Sequence, residues 1–229
     1  MDRLPFTYKE FLSKQTITLE EICRGLVKTN RDRINIKKEE RAVQNLHRIV
    51  QAVLSLSQTK GFSAMSLRDL SQETDLSMGA LYNYFNSKEE LFQMIYTQGR
   101  TSVFDTLEAN AVASDPELRL QQSICAHLYL SEALPRVFSF FFMEARNLPA
   151  QLQKNIISLE QLTEGFFEEI LQEGKKKKQF ALEDTQLTAS AIKALLQDWY
   201  LKRYKFSTRR LNVEKYASFV IDFVGANLK

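Results

Sequence analysis

The sequence predicts an all-α protein. Glycine and proline are scarce, 7 and 4 in 229 residues. Apolar residues recur at three- and four-residue spacing along most of the chain, and strand-like alternation is hard to find. Apolar residues make up 44% and charged ones 26%, an ordinary balance for a globular protein with a sizeable core. The length suits one large domain, or a small module fused to a larger one.

Taken in order, Thr18 with Glu21 three positions on forms a capping-box pattern, which predicts a short helix near 19–28. The polar segment that follows reads as a linker or arm. A first long helix is expected from about Glu40 to Thr59, with Ala42, Leu46, Ile49, Val53 and Leu56 on one stripe and Gly61 as its stop. Ser66 caps "LRDLSQET" with Asp69 at the reciprocal position, and Asp75 falls where the chain turns. Ser77 caps a second short helix through Tyr84. Ser87 and Glu90 open a long helix at Lys88 that carries Phe92, Ile95, Val103, Phe104 and Leu107 along one side. Beyond it lie Asp115 with Pro116 at a helix start, the aromatic stretch 134–147, a long helix closing at Gly174, one helix across 183–206, and a last one across 212–228. About nine helices are expected from residue 40 onward.

Several classes of function are set aside. Cys23 and Cys125 are far apart and in no C-x-x-C pair, so a disulfide framework or zinc module is not expected and a reducing cytoplasm is. "MDRLPFTYKEF" is not a signal peptide, and no apolar run nears the ~18 residues of a membrane span. There is no G-x-G-x-x-G, P-loop, G-x-S-x-G or H-E-x-x-H, and His47 and His127 have no paired acid evident in the sequence. No enzyme, cofactor or metal site is expected. The net charge of +3 is compatible with a nucleic-acid partner without showing one.

The pair Ser66–Thr74 and Ser77–Tyr84, preceded by a longer helix, has helix-turn-helix form. At about 100° per residue, Leu81 inward puts Gly79 and Asn83 outward, flanked by Ala80 and Tyr82. Such a face lets a backbone approach a major groove, whereas a mid-helix glycine otherwise costs ~1 kcal/mol. Lys88 and the amides opening the next helix are placed to grip a phosphate. A helical scaffold without DNA binding is the other reading, and it has no need of this face.

The stretch 61–95 resembles the DNA-binding domain of TetR/AcrR-family transcriptional regulators. The resemblance rests on Gly61-Phe62, Ser66, Leu76-Ser77, Gly79, Leu81-Tyr82, Tyr84-Phe85, Lys88 and Leu91, and covers roughly residues 42–96. It implies an N-terminal three-helix reading domain over 41–96 and a larger helical ligand-binding and dimerisation domain over 97–229; it says nothing about 1–40, an extension longer than the family usually carries. Tyr82, Tyr84 and Lys88 would contact phosphates, and Ser66 and Arg68 backbone or a base edge. Gly79, Ala80 and Asn83 would line the groove, with Ser77 capping and Met78 offering apolar readout or none. On this reading Tyr84→Ala or Lys88→Ala lowers operator affinity without unfolding. Thr74 and Asp75 replace the family's usual alanine and glycine before the turn, which aspartate can still make. Arg31, Arg33, Lys37, Lys38 and Arg41 read equally as a DNA-contacting arm or a solvated linker, while "GKKKKQF" reads as a solvated loop.

The resemblance further implies a homodimeric, ligand-responsive repressor of a palindromic double-stranded operator. Ala191, Leu195, Tyr216, Phe219, Val220 and Phe223 are the dimer candidates, and closure of the protomer core is the alternative for the same stripes. Phe104, His127, Tyr129, Phe140, Phe141, Glu144, Phe166 and Trp199 are the ligand candidates, with plain core packing as the alternative for each. "FFMEARN" and "DWYLKRY" resemble stretches of family members that sense acyl-CoA or other hydrophobic carboxylates, so the expected effector is small and largely apolar.

Overall fold

The computed structural model describes residues 4–144 and 148–228, and among these it is helical with no strand. Residues 145–147 of the aromatic stretch lie outside the described residues. The chain divides into two compact units.

One unit holds Ile17–Ser102 and Arg136–Ile157. It begins with α2 (Leu19–Thr29), which Thr18 caps by accepting from the Glu21 amide. Ile22, Cys23, Leu26 and Val27 are buried where α2 packs on α3 (Glu39–Lys60). Gly61 ends α3 at φ 78°, a conformation that disfavours side chains, and this is why glycine stands there. Phe62 then turns into an aromatic cluster, 5.3 Å from Phe92 and 5.9 Å from Phe140, with Phe141 5.6 Å from Phe92. The segment before α3 is anchored at one point, where Ile34 is buried and Arg33 pairs with Glu90 at 2.9 Å, while Arg31, Lys37, Lys38 and Arg41 are exposed. Periodicity could not show this, because the contact joins residues far apart in sequence.

The other unit comprises the N-terminal segment through Thr16, Val103–Pro135 and the chain from Ser158 on. It contains a helix the sequence reading lacked, α1 (Tyr8–Lys14), opened by a reciprocal cap between Thr7 and Glu10. Seven residues give too few turns for a periodic signal. What holds α1 is tertiary: Phe6 and Phe11 pack on Tyr129 of α7 (Pro116–Ala133), and the Tyr8 amide donates to Glu214 at 2.9 Å. Buried on most of its turns, α7 also packs against α10 (Thr185–Leu201) and α12 (Val213–Ala226).

Two boundaries differ from expectation. The helix expected across 183–206 breaks at Lys202, giving a separate α11 (Arg203–Thr208). Here Arg203 folds over the Trp199 ring at 4.5 Å and pairs with Glu132, while Phe206 stacks on Trp199 at 5.1 Å. The break thus turns Phe206 inward. The helix α9 (Ala150–Lys176) continues past Gly174. A Cβ at Gly174 would lie 2.1 Å from the Phe180 ring, so this glycine makes room for an aromatic side chain instead of stopping a helix.

The remaining helices are α4 (Leu67–Thr74), α5 (Met78–Tyr82), α6 (Lys88–Asn110) and α8 (Pro135–Glu144). That makes ten from residue 39 onward among the described residues, against about nine expected. No described helix is long and apolar enough to cross a membrane.

Candidate nucleic-acid interface

The α4–turn–α5 unit is built from local hydrogen bonds. Ser66 accepts from the Asp69 amide while the Asp69 carboxylate takes the Ser66 amide at 2.7 Å, and Lys60 pairs with Asp69 at 2.7 Å. That lysine contact, followed by the Ser66 hydrogen bonds, holds the Asp69 carboxyl well below the usual carboxylate range. Asp75 takes the left-handed conformation at φ 54°, as expected of the turn residue. Two further residues lock the turn and were not singled out from the sequence. The Ser71 hydroxyl donates to the Leu76 carbonyl at 2.6 Å, and the Arg48 guanidinium, from α3, donates to the Thr74 carbonyl. Nothing in the spacing of Arg48 marks it out, since its role exists only once α3 lies against α4.

Ser77 then caps α5 by accepting from the Ala80 amide at 3.2 Å. Leu81 is fully buried, which turns the opposite side outward: Gly79 is exposed, Tyr82 is 46% exposed, and Ala80, Asn83 and Met78 are half-buried. A Cβ built on Gly79 would find only the Ser77 hydroxyl, at 4.0 Å. The backbone there has ordinary helical φ, and the space is open. Neither conformation nor packing within the protein asks for glycine at this position. Ser66 and Arg68 are exposed at the start of α4.

Two expected phosphate contacts are placed otherwise. Tyr84 is fully buried, and its hydroxyl accepts from the Asn45 amide group at 2.9 Å. The chain tightens after α5, with the Tyr84 amide donating to Leu81, and this carries the ring inward. Lys88 directs its ammonium at the carbonyls of Phe62, Ser63 and Met65, at 3.2, 2.6 and 3.0 Å. A lysine has three protons, and these are committed to closing the loop after α3. At the opening of α6, Ser87 accepts from the Glu90 amide and Glu90 accepts from the Asn86 amide. Tyr84→Ala is therefore expected to cost about 3–5 kcal/mol of stability through a core cavity. Tyr84→Phe is expected to cost only about 1 kcal/mol through the lost hydrogen bond. Denaturant titration of both variants checks this.

The eight ligand candidates are divided between the two units. Phe140, Phe141 and Glu144 are buried in the unit that holds α4 and α5. In the other unit Tyr129 is taken up by Phe6 and Phe11, and Trp199 donates to Glu132 at 3.0 Å and stacks on Tyr216 at 5.1 Å. His127 is buried 2.9 Å from the Lys193 ammonium; burial first and that charge second push its pKa well below the usual range. Phe104 and Phe166 line a cleft of about 470 Å³ with Glu108, Leu162, Gly165 and Glu169. Of the dimer candidates, Tyr216 and Val220 face the protomer core, Tyr216 donating to the Leu195 carbonyl at 2.7 Å. Leu195 is half-buried, whereas Ala191, Phe219 and Phe223 are exposed.

Comparison with known proteins agrees with this geometry. A family model of bacterial regulatory proteins of the tetR family matches residues 49–95. A second model, of Tetracyclin repressor-like C-terminal domains, matches residues 113–203, and the two together take in more than half of the chain. The chain belongs to the TetR family. It is a helix-turn-helix, DNA-binding transcriptional regulator and not an enzyme. Among relatives of this TetR-family protein is a probable HTH-type transcriptional regulator YttP of Bacillus subtilis (strain 168). The two are 22% identical over 164 residues, which is 70% of this chain and 79% of the relative. A tetR-family regulatory protein from Rhodococcus RHA1 shares the fold with a TM-score of 0.71 at 22% identity, over 81% of this chain and 97% of that one. The regulator FadR of Bacillus subtilis, solved in complex with stearoyl-CoA, does so with a TM-score of 0.67 at 14% identity, over 80% of this chain and 100% of that one.

Proposed function

We propose that this TetR-family protein is a homodimeric cytoplasmic repressor that reads a palindromic operator through α4 and α5 and is released by a small, largely apolar effector of the acyl-CoA class. Residues 41–96 form the reading domain and 97–229 the effector and dimerisation domain. The observation that carries the reading is the open, unfilled surface at Gly79, a glycine in the first turn of α5 that neither its φ nor its neighbours require. Tyr82 and Asn83 beside it, with Ser66, Arg68, Ser77, Met78 and Ala80, supply the polar and small groups that a groove would meet. In a two-fold dimer the reading helices stand about one DNA turn apart, ~34–36 Å, and this asks for a palindrome.

The cleft at Phe104 and Phe166 is the place we assign to the effector, since its size lies within the ~300–1,000 Å³ of small-molecule sites and its lining mixes apolar and polar groups. The stearoyl-CoA held by the FadR relative supports the choice of an acyl chain. An effector releases DNA only by binding the non-reading state more tightly. The test is selection of duplexes from a randomised pool, followed by titration of the recovered duplex at rising salt. A palindromic consensus with steep salt dependence is expected, and recovery of no preferred sequence would refute the reading. Adding stearoyl-CoA is then expected to release the duplex; retention at saturating ligand would remove the acyl class.

A further inference from the structure

The reading helix α5 has five residues, too few to stand by its own hydrogen bonds, so its position depends on what holds its ends. Its C-terminal carbonyls can be accounted for one by one. The Asn83 side chain donates to the Gly79 carbonyl at 3.2 Å, and the Asn83 amide to that of Ala80 at 3.3 Å. The amides of Tyr84 and Phe85 serve Leu81. The next two carbonyls are served from outside the helix-turn-helix. The Asn35 amide donates to the Asn83 carbonyl at 3.0 Å, and the Arg33 guanidinium lies 3.4 and 3.5 Å from the Tyr82 carbonyl. The same guanidinium donates through Nε to Glu90 at 2.9 Å, at the start of α6. Glu90 in turn holds the Asn86 amide, so one arginine ties the end of α5 to the start of α6.

Arg33 and Asn35 precede the stretch matched by the family's N-terminal model, which begins at residue 49. They are delivered by α2, anchored on α3, and by the buried Ile34 between them. We propose that Arg33, with Asn35, is a positioning residue for DNA reading: it latches the C-terminal end of α5 to α6, and so fixes where Tyr82 and the bare Gly79 strip meet the duplex. This rests on the reading of α4 and α5 as the DNA-contacting unit. It assigns Arg33, within the basic segment before α3, a task different from either a DNA-contacting arm or a solvated linker.

The competing role for a half-buried arginine here is a direct phosphate contact, and Glu90 separates the two. Glu90→Gln breaks the ion pair but keeps an acceptor for the Asn86 amide and leaves the charge of Arg33 in place. The measurements use the full chain and the duplex that the wild-type protein recovers from a randomised pool, with a scrambled duplex as control. A latch predicts that Arg33→Ala and Glu90→Gln each weaken binding to the recovered duplex about tenfold. It also predicts an unchanged scrambled-duplex affinity and salt slope, and a double variant no worse than either single one. A phosphate contact predicts that Arg33→Ala weakens both duplexes alike and lowers the salt slope by about one, while Glu90→Gln leaves binding unchanged or tightens it. That second pattern, or no change in either variant, overturns the proposal. If Arg33→Ala loses cooperative unfolding, Glu90→Gln decides alone. Failure of the wild-type protein to enrich any duplex would take down the functional reading together with the latch. Enrichment with unaffected variants takes down the latch only.

Discussion

Replacing Gly79 with leucine is expected to cut operator affinity by at least about a hundredfold, equivalent to ~2.7 kcal/mol, without loss of stability. The two halves of this result have separate causes. Within the protein a side chain at Gly79 meets open space, with Ser77 Oγ at 4.0 Å the nearest atom. Leucine is a better helix former than glycine by several tenths of a kcal/mol, so the unfolding midpoint should hold or rise. Against DNA the same side chain occupies the volume through which the backbone of α5 approaches the groove. Alanine should fall between, with a small gain in stability and a moderate loss in affinity. Calorimetry and fluorescence anisotropy on one set of samples measure both halves. A leucine variant that binds as tightly as the wild type would mean that the Gly79 face never meets the duplex.

The second large effect is expected at the exposed rings of α12. Phe219 and Phe223 stack on one another at 6.0 Å and remain 57% and 52% exposed, with Leu187 of α10 exposed by 69%. In the proposed homodimer these exposed rings are the expected subunit contact, since exposed apolar patches of this kind favour association. Phe219→Asp combined with Phe223→Asp should give a monomer by light scattering while leaving the protomer helical. Operator affinity should fall by a factor on the order of 10²–10⁴, because the second half-site is then no longer engaged intramolecularly. Tyr216 and Val220, one helical turn away, should behave in the opposite manner: their truncation destabilises the protomer, since both already face its core. A double aspartate variant that stays dimeric would place the subunit contact elsewhere.

Neither cysteine should matter to any of this. Cys23 and Cys125 are buried, and burial pushes each thiol up to about 12, far from the thiolate form that redox sensing needs.

The helix-turn-helix was readable because its defining interactions are short in sequence. A serine hydroxyl meets an amide three residues on, at Ser66 and again at Ser77, and a left-handed Asp75 joins the two helices. Gly79 could be read as outward from the inward direction of Leu81 alone, by helical geometry. Tyr84 and Lys88 were harder. Both lie near the reading face in sequence, and both are drawn away by partners dozens of residues off, Asn45 for one and the carbonyls of residues 62–65 for the other.

By itself the sequence determined the all-helical class, the caps, the turn and the bare strip at Gly79, and through them the family. These depend on hydrogen bonds and periodicities that close within one or two turns. Only the tertiary structure decided which aromatics serve the core, which lysine closes a loop, and that Phe6, Phe11 and Ile34 ahead of α3 are buried. Each of those outcomes depends on a contact between distant segments, such as Phe62 with Phe140 or Arg33 with Glu90. Such contacts come into being when separate apolar faces are buried together, and no local pattern encodes them.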